Sequence, residues 1–156
     1  MQKLIKYLFL LFIIPNFSLA DIEKKSNNAK AKEELKAEFI LNHIQQDYIT
    51  CYAFYKIATE VIGSSGAKNN IVKGLKKSAD ISLKLIYETG EITGMNIEDM
   101  REKVKLEIKL QESVIVNDNN SFSKLSKKHG FLCKNLIENK KQRIDYWEKK
   151  SIHKFK

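Results

Sequence analysis

The sequence predicts an all-α protein, an up-down antiparallel bundle of four helices, or of three, held together by one disulfide. Apolar residues recur at steps of three and four along most of the chain, which is the period of amphipathic helices. No segment shows the alternation of a convincing β-strand. With 156 residues, 43% of them hydrophobic and 30% charged, the chain is long enough for one domain of ordinary size.

The first 20 residues have the three parts of a secretory signal peptide. Two lysines are followed by an apolar stretch that ends at Ile14, and small residues, Ser18 and Ala20, stand at the −3 and −1 positions of a cleavage site. The apolar stretch is too short for a retained membrane anchor, because a spanning helix needs about 20 residues. We therefore expect cleavage after residues 1–20 and export, either to the periplasm or as a secreted protein.

The first predicted helix covers Ala29 to Ile62, a stretch without glycine or proline. Its apolar positions follow alternating steps of four and three, and further apolar residues lie beside them, so that the helix presents a wide apolar stripe. A stripe of this width predicts burial against more than one neighbour. Glycines and serines at residues 63–66 end the helix. The segment before it, residues 21–28, is expected to be flexible.

Two further helices are predicted in the middle of the chain. The second follows Asn69 or Asn70, either of which can cap it, and ends near Thr89 because Gly90 and Gly94 weaken the helix. The third begins after Asn96, which together with Asp99 resembles a capping box, and it ends near Ile115.

The fourth predicted helix begins at Ser121, and its apolar stripe continues to Trp147. It completes a single bundle domain at residues 29–150 and is followed by a frayed tail at residues 151–156. If residues 117–120 instead join the third helix to the fourth, the bundle has three helices. Four amphipathic helices with short connections favour the up-down arrangement.

The two cysteines, Cys51 and Cys133, lie on the apolar stripes of the first and fourth helices. They are not part of a CxxC motif, and an even number of cysteines suits an oxidising compartment. We predict one disulfide between them, closing a loop of roughly 82 residues that would stabilise the fold by roughly 4–5 kcal/mol. Two separate buried thiols are the alternative.

The charge of the chain is concentrated near its C-terminus. Residues 124–156 carry 11 Lys/Arg against 3 Asp/Glu, a net charge of +8, whereas residues 21–123 carry a net charge of −1. Such a segment attracts anionic partners, and weak binding to an anionic surface is one hypothesis. A solvated face that reflects coding bias toward lysine is the alternative. Only Arg101 and Arg143 are arginines, and we expect no nucleic-acid partner in an exported protein.

Tyr48, Tyr52 and Tyr55 are spaced by four and three, which places them along one edge of the first helix beside the predicted disulfide. One interpretation is an aromatic groove for a ligand or partner, to which Trp147 on the fourth helix would add. The other is the edge of an amphipathic core, with the tyrosine hydroxyl groups reaching water.

Residues with catalytic chemistry are few. His43 and Asp47 share a helix face, but two ligands do not make a metal site. His129 stands one turn from Cys133 and would matter for catalysis only beside a free thiol. We expect no metal, no cofactor and no enzymatic activity.

The leading hypothesis is an exported, periplasmic, non-enzymatic helical module. It would bind a protein or an envelope component through the tyrosine edge or the lysine-rich C-terminal helix. The alternative is a carrier with a pocket inside the bundle for a small ligand or a cofactor. The pattern is compatible with a dimer as well as with a monomer.

Overall fold

A computed structural model of the protein describes residues 19–115 and 121–155 and contains helices where the apolar periodicity predicts them. Within those ranges every regular element is a helix and there is no strand, so the all-α class is confirmed. The single predicted disulfide is also confirmed. The described residues form five helices, one more than the four predicted: α1 (Leu19–Ser64), α2 (Asn69–Ile92), α3 (Ile97–Ile115), α4 (Ser121–Glu138) and α5 (Lys140–Lys154).

The additional helix arises because the predicted fourth helix is interrupted at Asn139. This residue has φ −144° and ψ 63°, outside the helical region, although its N–H still donates to the carbonyl of Asn135 at 2.7 Å. Asparagine is a weak helix former, so a break at this position costs little. On the N-terminal side, α3 ends at Ile115 and α4 begins at Ser121, and the residues on which the three-helix alternative depends lie outside the described part.

Both ends of the helical region extend further than predicted. α1 begins at Leu19, so residues 21–28, expected to be flexible, are helical, since no glycine or proline interrupts them. α5 continues to Lys154, and Ser151 within it is buried, so the expected frayed tail is helical almost to its end. The predicted signal peptide lies almost entirely outside the described residues.

Residues 35–156 form one compact unit, and the middle of α1 lies at its centre. Between residues 44 and 58, α1 is buried on nearly every face, because its apolar positions are too many for a single stripe. The wide stripe predicted from the sequence is therefore a central helix surrounded by the others. Its buried apolar residues are Ile44, Tyr48, Ile49, Cys51, Ala53, Phe54, Tyr55, Ile57 and Ala58.

Polar or covalent links join α1 to each of the other four helices. Gln45 Nε2 donates a hydrogen bond to the carbonyl of Ile86 on α2, and Gln111 Nε2 on α3 donates one to the carbonyl of Thr50. The Cys51–Cys133 disulfide joins α1 to α4, and Asp47 accepts a hydrogen bond from Arg143 on α5. Hydrogen bonds between buried groups specify which faces meet, whereas apolar contacts alone tolerate some sliding.

Two short connections follow local rules. The Oδ1 of Asn96 accepts a hydrogen bond from the N–H of Asp99 at 2.8 Å, so the predicted N-cap of α3 is confirmed. Ser121, the predicted and observed first residue of α4, donates its hydroxyl to the carbonyl of Ile115 at 2.8 Å. This bond ties the start of α4 to the end of α3.

Candidate binding site

The predicted tyrosine edge belongs largely to the core. Only 3% of Tyr48 and 7% of Tyr55 is exposed, and burial raises the pKa of both phenols, with the charge of Asp47 adding to the rise at Tyr48. Tyr52 is half-buried and packs against the same core. These positions favour the interpretation as a core edge over an aromatic groove.

The sulfur atoms of Cys51 and Cys133 are bonded to each other, with 5.2 Å between the two Cα atoms and neither side chain exposed. A thiolate activated by His129 is therefore not available in this structure. His129 is buried, with its ring centroid 6.4 Å from that of Phe54. Burial lowers the pKa of the His129 imidazole, which keeps the ring neutral at neutral pH.

Trp147, the fourth residue of the predicted groove, lies elsewhere, in a cluster that attaches α5 to α1. The carboxylate of Asp47 accepts hydrogen bonds from Arg143 Nε at 2.6 Å, Arg143 Nη2 at 2.9 Å and Trp147 Nε1 at 2.7 Å. The hydrogen bonds from Arg143 form a bidentate pair, which holds the guanidinium plane in a defined orientation. The same bonding to Asp47 raises the pKa of Arg143.

His43 completes this cluster and does not form a metal site with Asp47. Its Nδ1 bonds the carbonyl of Phe39 at 2.8 Å, and its ring lies 4.1 Å from that of Trp147 between centroids. The carboxylate of Asp47 is already engaged by three donors from α5. Both side chains therefore serve the packing of α5 against α1.

The orientation of α5 creates a cleft that the sequence did not predict. Between α4 and α5, on either side of the break at Asn139, lies a cleft of about 270 Å³, called the elbow cleft below. Its apolar lining comes from Phe131, Leu132, Leu136 and Tyr146. Arg143 borders the cleft, with its guanidinium 4.4 Å from the centroid of the Tyr146 ring. One wall residue of the cleft, Arg143, is therefore held in place by its ion pair with Asp47 on α1.

Three amide side chains also line the elbow cleft, those of Asn135, Asn139 and Gln142. Within residues 19–115 and 121–155, none of the three makes a side-chain hydrogen bond to the protein. Each amide has two donor hydrogens and an acceptor oxygen. The cleft therefore combines apolar surface with hydrogen-bonding groups that are free to contact a bound molecule.

Phe131 stands at the edge of this cleft with 78% of its surface exposed. On a helix, the neighbours of a residue are those three and four positions away. For Phe131 these neighbours include Lys127, Lys128 and Lys134, all exposed and all without an ion pair in the described part of the chain. We call these four residues the Phe131 patch. An exposed aromatic ring beside three cations makes this patch a candidate contact surface, because aromatic side chains contribute strongly at protein interfaces.

A second, larger cleft lies at the turn between α2 and α3. Two pairs account for several of its polar groups: Asn96 Nδ2 donates to Asp99 at 2.7 Å, and Arg101 lies 3.5 Å from Glu98. A cleft whose polar groups are internally paired has less to offer a ligand, because binding would have to break those pairs.

Comparisons with known proteins found no match among protein-family models, curated proteins or solved structures. In residues 19–115 and 121–155, no helix combines the length and the hydropathy needed to cross a membrane.

Proposed function

We propose that this protein is an exported, non-enzymatic module, an up-down helical bundle that binds another protein through the elbow cleft and the Phe131 patch. The observation that supports this most is the combination of a 78% exposed phenylalanine with three unpaired amides around one cleft. Aromatic residues and arginine dominate binding at protein interfaces, and amides hydrogen-bond the partner backbone.

Export is supported by two independent features. The N-terminal 20 residues have the parts of a signal peptide, and a disulfide that joins α1 to α4 is typical of a protein that folds in an oxidising compartment. The partner would accordingly be a protein of the same compartment, which we propose to be the periplasm.

Photo-crosslinking in living cells tests this function. A photoreactive phenylalanine analogue replaces Phe131 in one variant and Ile92 in the other, because Ile92 is 69% exposed at the end of α2, outside the elbow cleft. We expect a crosslinked protein band from position 131 and none from position 92. Equal crosslinking from both positions, or none from position 131, would contradict the proposal.

A further inference from the structure

The Phe131 patch is one end of a longer surface that continues along α4 to α3. On α3, Leu106, Leu110 and Val114 are separated by four residues each and are 60%, 54% and 46% exposed. Residues four apart on a helix are neighbours, so these side chains form a continuous exposed apolar strip. Such a strip usually marks a surface that another molecule covers.

A groove of about 460 Å³ lies between this strip and α4. Its α3 wall includes Leu110 and Val114 together with the carboxylate of Glu107, and Lys128 forms part of its α4 wall. Lys128 is also one turn from Phe131, so the groove and the elbow cleft meet on one face of α4. From Lys124 to Asn139 this face is about 22 Å long, at about 1.5 Å per residue.

Lysines outnumber carboxylates on this surface, where Glu107 lines the groove and Glu138 stands four residues from Lys134. Lys127, Lys128 and Lys134 surround Phe131, and Lys140 and Lys141 follow the break at Asn139. All five lysines are exposed, and the described residues give none of them an ion pair. Like charges this close repel one another, and carboxylates from a partner would relieve the repulsion.

We infer that this face of α4 binds an acidic polypeptide segment of the partner, with apolar side chains on Phe131 and Leu110 and carboxylates on the surrounding lysines. The inference rests on the proposed function and adds the chemistry of the partner. An anionic membrane would also supply negative charge and apolar groups. A bilayer, however, would cover the three cleft amides without offering the hydrogen bonds that a polypeptide backbone provides.

The probe is a synthetic peptide of about 15 residues, long enough to follow this face, built from glutamate, leucine and phenylalanine. A second peptide carries glutamine in place of every glutamate. Titration calorimetry with the full exported chain should give binding of the acidic peptide at least about tenfold tighter than that of the neutral one. Phe131→Ala should weaken binding of the acidic peptide by about tenfold or more.

Two triple variants separate a specific site from general charge attraction. Changing Lys127, Lys128 and Lys134 to Gln should weaken acidic-peptide binding and reduce its dependence on salt. The matched control changes three exposed lysines of α2, Lys73, Lys76 and Lys77, to Gln and removes the same charge. The control should alter the affinity by less than about twofold. Equal losses in the two triple variants would overturn the inference.

A competition experiment shows whether a failure belongs to the acidic-segment inference or to the proposed function. The acidic peptide should suppress the crosslink from position 131, and the neutral peptide should not. If the crosslink forms but the acidic peptide does not compete, the function stands and the acidic-segment inference is wrong. If vesicles containing phosphatidylglycerol bind in a Phe131-dependent way and the acidic peptide does not bind, the surface is a membrane site and the inference is overturned.

Discussion

At the scale of single residues, Asp47 has the largest consequence for the candidate site. Its carboxylate accepts three hydrogen bonds from α5, and its side chain is only 10% exposed while that of Arg143 is 22% exposed. Breaking a mostly buried charge pair leaves the remaining charge without its partner, whereas an exposed pair contributes little because water replaces it. The orientation of α5, and with it the elbow cleft, depends on this pair.

We expect Arg143→Ala to lower the free energy of unfolding by about 2 kcal/mol, because Asp47 would lose its charged hydrogen bonds. The matched control is Arg101→Ala, since Arg101 pairs with Glu98 on the surface of α3 with side chains 57% and 67% exposed. That change should cost less than about 0.5 kcal/mol. Urea denaturation measures both values, and equal costs would refute the structural role of the Asp47–Arg143 pair.

Gly90 lies at a position in the core where there is no room for a side chain larger than a hydrogen atom. A Cβ atom there would lie 2.6 Å from Nε2 of Gln45 and would also collide with the buried side chain of Met100. Gln45 cannot move freely, because that nitrogen donates to the carbonyl of Ile86. From the sequence alone, Gly90 indicated only a weak point near the end of α2.

Replacing Gly90 by Ala should therefore lower the free energy of unfolding by about 1–3 kcal/mol through overpacking. Gly74, also inside α2, has open space where its Cβ would be. Gly74→Ala should raise stability by about 0.5–1 kcal/mol, because alanine is the better helix former. Thermal unfolding of the two variants measures both effects. A stabilised Gly90→Ala protein would show that the close approach of Gln45 and Met100 to Gly90 is not required.

His129 makes stability depend on pH in a defined direction. Its pKa is lower in the folded protein, mainly because of burial and then because of the charge of Lys128, than its ordinary value of about 6.5 in the unfolded chain. As the pH falls through about 6.5, the unfolded chain binds the proton first, so the free energy of unfolding decreases.

The pH effect should be smaller in a His129→Gln variant, which has no imidazole to titrate. Urea unfolding at about pH 7.5 and about pH 5.5 compares the two proteins on either side of the ordinary histidine pKa. The wild type should lose more stability than the variant between the two pH values. Identical losses would mean that His129 contributes nothing to the pH dependence.

At the scale of helices, the arrangement is organised by α1 rather than by four equivalent elements. Between residues 44 and 58 it is buried on nearly every face, and it is bonded to all four other helices. The disulfide is the covalent member of this set, and it closes a loop with a sequence separation of 82. By restricting the unfolded chain, a loop of that length favours the folded state.

Reduction of the disulfide should lower the free energy of unfolding by up to about 4.5 kcal/mol in the chain-entropy account. Because Cys51 and Cys133 are both 0% exposed, a reductant should act slowly until the protein unfolds. The measurement is urea unfolding with and without dithiothreitol. The double variant Cys51→Ala/Cys133→Ala serves as the control, and it should not respond to the reductant. An equal response in both proteins would exclude the disulfide as the cause.

At the scale of the whole molecule, charge is distributed unevenly: the N-terminal part is nearly neutral and the C-terminal part is strongly basic. Residues 124–156 hold a net charge of +8 and contribute α5 and nearly all of α4, the two helices that border the elbow cleft. Concentrated charge of one sign speeds encounters with partners of the opposite sign. Charge and exposed apolar side chains coincide on α4, and the proposed binding surface uses both.

Export of the whole chain has a direct test. Mass spectrometry of the exported protein should find that it begins at Asp21, because the small residue Ala20 completes the predicted cleavage site. Ala20→Tyr places a large side chain at that site and should leave the leader attached, whereas Ala29→Tyr, at an exposed position of α1, should not. An exported wild-type chain that still begins at Met1 would refute the prediction.

Local patterns in the sequence were sufficient for much of the fold. The apolar period predicted helices, the cap at Asn96 was correct, and the pairing of two cysteines on core stripes was confirmed. The break at Asn139 was missed because asparagine is only a weak helix breaker and the apolar stripe continues across it. The tyrosine edge was seen, but spacing alone does not distinguish a groove from a core.

By itself, then, the sequence determined that the chain is helical, where most helices begin, and which cysteines bond, because these properties depend on side-chain period and on residue counts. Only the tertiary structure decided that α1 is central, that Asp47 meets Arg143 across 96 positions, and that the candidate site lies between α4 and α5. The physical reason is that hydrogen bonds and charge pairs between distant residues form only after helices pack, and no local periodicity encodes their partners.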